Sequence, residues 1–202
     1  MDDDCSDKLS VYDERHYTAF HAIKGAANMC LKAAQRRDAG WLYNQMIALT
    51  FYAMSFEALF NAVGNRLFED WIEKYERMNS TEKLILLATN QNIKVDFNEE
   101  PWSSVRWVFS YRNDIVHAKP KLLTKHSVMT QASFDKREGL YPVSMTEKLS
   151  TLKNAERCKK ALYAVRDTFI KNMNIDDLEG ILSDGCTSVG TPIFEHSGKK
   201  TQ

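Results

Sequence analysis

Cysteine is scarce in this chain. Four occur in 202 residues: Cys5, Cys30, Cys158 and Cys186. They are widely scattered and form no CxxC or Cys/His spacing, so no zinc motif is present, and reduced thiols in a cytoplasmic protein are expected. No metal and no cofactor are called for. Net charge is lacking too, with 27 Lys and Arg against 27 Asp and Glu. A zero balance argues against indiscriminate, charge-driven binding to nucleic acid, but leaves room for a local basic site. The acidic start, Met1-Asp2-Asp3-Asp4-Cys5, has neither the basic nor the apolar region of a signal peptide. The longest apolar region, Leu42 to Phe60, is interrupted by Asn44, Gln45 and Glu57. It reads as a core helix rather than a membrane span. Glycine and proline are few, at 8 and 4, and no internal repeat occurs.

What is present is the composition of an ordinary soluble domain, 44% apolar and 27% charged. The length can bury a sizeable core in one domain. Most of the sequence has helical texture, so the expected fold class is all-α. A flexible N-terminus is expected over residues 1–12, a helical domain over 13–173, and a mobile or partner-binding tail over 174–202. A first helix is expected from about Asp13 to Arg37, with Tyr17, Phe20, Ile23, Ala27, Cys30 and Leu31 at spacings of three and four. Asp38-Ala39-Gly40 is the turn into a second helix, Trp41 to about Phe68. That helix is apolar almost all round, as the central helix of a bundle is. It is expected to run on towards Arg77, with a break near Gly64 or Asp70.

Asn79 or Ser80 can cap a short third helix whose apolar edge is Leu84, Leu87 and Ala88. Asn98-Glu99-Glu100-Pro101 announces a fourth, with an Asn cap, two acids and a first-turn proline. Its apolar stripe is Trp102, Val105, Phe109 and Val116. Lys119 precedes Pro120, so the helix should end near His117 or Ala118. Residues 121–145 form a long loop or insertion, too long for a plain connector; weak alternation over Val128 to Phe134 allows a small hairpin. A last helix is expected from about Thr146 to Met173.

The stretch Tyr111-Arg112-Asn113-Asp114-Ile115-Val116-His117 carries the chemistry. Arg112 can grip a phosphate with two parallel hydrogen bonds, and His117 can trade protons near neutral pH. Metal-free cleavage of RNA needs such a pair. On a helix the two are about 140° and about 7.5 Å apart, with Asn113 between them in rotation. One chain therefore cannot close both tightly on one phosphate, and a two-fold dimer would supply the second pair. No acid occurs from Ile115 to Phe134, whereas Lys119, Lys121 and Lys125 do. That local positive strip suits docking of a short RNA segment.

Arg112-Asn113-Asp114-Ile115-Val116-His117 resembles the R-x(4–6)-H motif of HEPN domains, including the polar residue after the arginine. The long apolar helix with an embedded acid (Phe56-Glu57-Ala58-Leu59-Phe60-Asn61) and the short Ser-Thr-Glu-Lys-Leu helix are similar to that family's setting. The resemblance implies an antiparallel helical bundle of about five helices, with a long loop before the last, that dimerises and places two motifs in one cleft. It implies a metal-independent endoribonuclease of the toxin–antitoxin, phage-defence or RNA-processing kind, with RNA as substrate, possible antitoxin or other protein partners and no membrane. Arg112 would hold the scissile phosphate, His117 would act as general base or acid, and Asn113 would orient the histidine or the phosphate. Glu57 and Asn61, one turn apart, would support Arg112. The alternative is a non-catalytic HEPN-fold module that binds nucleotide, RNA or protein. A plainer reading is a helical scaffold, with Arg112 paired to Asp114 or Glu57 and His117 capping carbonyls.

Overall fold

The computed structural model describes residues 9–37, 39–136, 141–173 and 185–192. In chain order the elements are β1 (Leu9–His16), α1 (Ala19–Gln35), α2 (Trp41–Leu67), α3 (Trp71–Tyr75), α4 (Ser80–Asn90), α5 (Trp102–Val116), α6 (Gln131–Asp135), α7 (Met145–Leu149), α8 (Leu152–Asn172) and β2 (Gly185–Pro192). The chain is mostly helical, as the sequence texture leads one to expect. Five of these helices, α1, α2, α4, α5 and α8, have 11 residues or more.

α2 is the axis of the fold. It packs against α1, α3, α4, α5 and α8. Leu49, Tyr52, Phe56, Leu59, Phe60 and Val63 are all fully buried along it. Burying each such side chain contributes roughly 1.5–3 kcal/mol. By length and composition α2 could cross a membrane, but half of its most apolar window is buried inside the fold. Its apolarity is thus used against neighbouring helices. Phe56, Phe60, Phe109 and Phe169 join α2, α5 and α8 by edge-on and tilted ring contacts.

Local signals set most boundaries. The Thr18 side chain accepts from the Phe20 N–H and opens α1. Gly40, at φ 80°, occupies the left-handed conformation that turns the chain into α2. Asn79 Oδ1 accepts from the N–H groups of Thr81 and Glu82 at the start of α4. α5 stops at Val116, with His117 as its C-cap, just before Lys119-Pro120.

Several expectations are corrected. The first helix begins at Ala19, not near Asp13. Residues 9–16 form β1, which pairs antiparallel with β2 from the C-terminal tail, Leu9 opposite Pro192 and His16 opposite Gly185. The partners are so far apart in sequence that no local periodicity announces the ladder. Residues 9–12, expected to be flexible, and 185–192, expected to be mobile, are therefore strand; 1–8, 174–184 and 193–202 lie outside the described residues. Of the two places expected for a break, α2 runs through Gly64 and ends at Leu67, and α3 restarts after Asp70, so the break is the one near Asp70.

Asn98 caps nothing. Its N–H and side-chain amide both donate to Asp96 Oδ1, closing a local turn, and α5 starts four residues later. Val116, counted in the apolar stripe of α5, is exposed, because the helix has by then run past its packing partners. No hairpin forms over Val128 to Phe134; Thr130 instead caps α6. The last helix is two, since Ser150 and Thr151 leave helical geometry between α7 and α8. Ser144 and Glu147 form a reciprocal capping box on α7, and Thr151 caps α8.

Candidate functional site

α5 turns Val105, Val108, Phe109 and Tyr111 inward. Tyr111 is held from both ends: its hydroxyl bonds Ser150 Oγ at 2.7 Å, and its ring stacks on Trp107. Ser150 Oγ already donates to the Thr146 carbonyl, so Tyr111 is the donor. Phe109 meets Phe56 and Phe60 of α2. That contact brings the α2 turn carrying Glu57 beside the α5 turn carrying Arg112.

Arg112 is consequently gripped twice. Nη2 lies 3.3 Å from Glu57 Oε2, and Nη1 donates to Asn113 Oδ1 at 3.0 Å. Both members of the ion pair remain about a third exposed, at 30% and 32%. Glu57 thus pairs with Arg112 between α2 and α5. Asn113 holds the arginine and not the histidine. Asn61 lies in the same groove but serves a different partner: its Oδ1 accepts from Lys83 Nζ at 2.9 Å and from Trp71 Nε1 at 3.4 Å.

The Arg112–Glu57 pair is the wall shared by two clefts. On one side lies an open groove of about 500 Å³, with apolar walls from Met54, Ala58 and Ile72 and with Glu57 and Asn61 among its polar lining. On the other lies a cleft of about 460 Å³ with a polar lining from Ser80, Thr81, Arg106, Ser110 and Asn113. An arginine pre-oriented by a carboxylate and an amide, reachable from two clefts, is suited to bind an anion.

His117 lies past the last turn of α5 and is exposed. Its N–H donates to the Asn113 carbonyl at 3.0 Å, and its ring makes no hydrogen bond among the described residues. No bond joins it to Arg112 in one chain. Lys119, Lys121 and Lys125 are exposed on the segment that follows. Among the described residues no three His, Cys, Asp or Glu side chains gather as metal ligands would.

Sequence reasoning missed two participants. Arg106 shares the polar cleft with Arg112, and no motif marks it. Lys83 belongs to no motif either, yet it is 1% exposed. A signal for it exists. Lys83 adjoins Leu84 and lies four and five positions before Leu87 and Ala88, on the apolar edge of the helix. No protein-family model, no curated protein and no solved structure matches this chain, so the residues and their geometry carry the functional reading alone.

Proposed function

We propose that this chain is a HEPN-type endoribonuclease that works in the cytoplasm as a homodimer, without a metal. The observation that carries the reading is the state of the two motif side chains. Arg112 is oriented at the rim of two clefts, while the His117 ring stands exposed and unengaged at the helix end. Each is half of what phosphodiester cleavage needs, and a second copy of the same helix end completes the set.

The chemistry follows from the groups. Arg112 binds the non-bridging oxygens of the scissile phosphate and stabilises the charge that grows on them. His117 takes the proton of the neighbouring 2′-hydroxyl, whose oxygen bonds to phosphorus. The bond from phosphorus to the 5′-oxygen breaks, and that oxygen takes a proton from water, while the protonated His117 returns its proton to solvent. The products are a 2′,3′-cyclic phosphate and a 5′-hydroxyl. Lys119, Lys121 and Lys125 hold flanking phosphates as point charges.

Exposed apolar side chains near the motif support a second copy. Val116, Leu122, Val128, Phe134 and Tyr141 all stand in solvent in the single chain, a concentration expected of a surface that another chain covers. One observation favours the alternative of a non-catalytic module that binds nucleotide, RNA or a protein such as an antitoxin: Arg112 already has Glu57 and Asn113 as partners in its own chain. Cleavage assays separate the two. Purified protein with a chelator present should cut RNA to cyclic-phosphate ends, and Arg112→Ala and His117→Ala should each slow this by about 100-fold or more. Equal rates in the variants, or no cleavage by the unmutated chain, would leave the binding module.

A further inference from the structure

We propose that the open groove beside Arg112 is a nucleobase site, where the Asn61 amide donates to, and the Glu57 carboxylate accepts from, the polar edge of one base. This rests on the RNA reading above and names what that site recognises.

The key is the direction in which Asn61 points. Its two neighbours, the Lys83 ammonium and the Trp71 indole, are donors that cannot accept. The amide must therefore turn its oxygen to them, and a flipped amide would set N–H against N–H. The Nδ2 group is left with two donors and no hydrogen-bond partner among the described residues, in a half-buried side chain that lines the groove. Lys83 makes this arrangement notable. It is 1% exposed, and among the described residues the Asn61 oxygen is the one hydrogen-bond partner of its ammonium. Burying an amine with a single neutral acceptor costs stability. Here the amine locks the orientation of one amide on a groove floor.

Glu57 stands one turn before Asn61 on α2, about 6 Å along the axis. Its Oε2 engages Arg112, and its Oε1 has no partner among the described residues. A donor and an acceptor thus line one groove a helical turn apart, where they can meet the donor and acceptor groups of a base. The groove walls suit the flat faces of a base, since Met54, Ala58 and Ile72 are apolar. Arg112 borders the same groove, so a base seated there belongs to a nucleotide whose phosphate reaches the guanidinium.

The test is an NMR titration of the full chain with the four nucleoside 5′-monophosphates and with ribose 5-phosphate as the base-free control. At least one nucleotide should bind about tenfold or more tightly than ribose 5-phosphate and shift the Trp71 indole N–H resonance, which the sugar phosphate should leave in place. Asn61→Asp, which replaces the donor by an acceptor, should abolish that preference, so that in this variant the nucleotides bind no better than ribose 5-phosphate. Arg112→Ala should weaken both ligands. Nucleotides that bind no better than ribose 5-phosphate, or a preference that survives Asn61→Asp, would overturn the base site. If Asn61→Asp does not fold, the titration of the unmutated chain decides by itself. No cleavage enters these readings. A nucleotide preference in a protein that cuts no RNA would keep the base site and remove the nuclease, and cleavage without the preference would do the reverse.

Discussion

At the residue scale, Gly64 does more than its place in a helix suggests. A Cβ at this position would overlap the indole ring of Trp71, a rigid and buried group that cannot move aside cheaply. The glycine lets Trp71 lie flat on α2, and Trp71 in turn bonds Asn61. Gly64→Ala should destabilise the protein by about 1–3 kcal/mol through overpacking, measured by denaturant unfolding. Gly25 is the control. Nothing lies within 4 Å of a Cβ there, and it sits in the interior of α1, so Gly25→Ala should stabilise by roughly 0.5–1 kcal/mol. If both substitutions moved stability the same way, Trp71 would not be the reason for Gly64. Legibility at this scale divides along contact range. The Glu57–Arg112 pair could be read from an acid embedded in an apolar helix and an arginine that needs a partner. Lys83 was legible only in part: its place on the apolar edge is local, but whether such a lysine snorkels or is covered depends on what packs over it, here α2 with Asn61.

At the element scale, Glu100 ties the start of α5 to α8. Its carboxylate accepts from Ser104 at 2.6 Å and from Arg157 Nε at 2.7 Å. Burial alone would raise its pKa, but the hydrogen bonds from Ser104, Arg157 and Ser103, together with the Arg157 charge, outweigh this and hold it below the usual 4.5. A carboxylate depressed in the folded state stabilises the protein above its unfolded pKa, and that stability is lost as pH falls through the folded value. The unmutated chain should therefore melt at a higher temperature than Glu100→Gln near pH 7. The gap should narrow at about pH 3. A gap that is constant or widens on acidification would deny the carboxylate this role. The sequence signals at this scale were strong where they are local: the Asn79 cap, the Pro120 stop, the periodicity of α1 and α2. They failed at Asn98, where a nearer acceptor, Asp96, took the side chain. They failed also at β1 and β2, where each strand finds its pairing only across almost the whole chain.

At the scale of the whole molecule, one chain keeps the two motif side chains apart. Arg112 looks into two clefts, while His117 faces solvent past the helix end, and the helical offset that separates them is built into α5. The exposed apolar side chains of Val116, Leu122, Val128, Phe134 and Tyr141 follow the motif in sequence. The mostly helical architecture was legible from glycine and proline scarcity and from apolar periodicity. Which surfaces stay exposed was not legible, because it depends on how the helices pack.

The most direct test of the shared site mixes two defective chains. Arg112→Ala and His117→Ala are each purified alone and also co-expressed, so that heterodimers form, and RNA cleavage is measured for all three preparations at equal total protein. In the heterodimer the joint cleft retains one Arg112 and one His117, from different chains. The account predicts that each variant alone is nearly inactive and that the co-expressed pair regains cleavage well above either. Two inactive variants whose heterodimer is equally inactive would contradict a site shared across the two-fold axis.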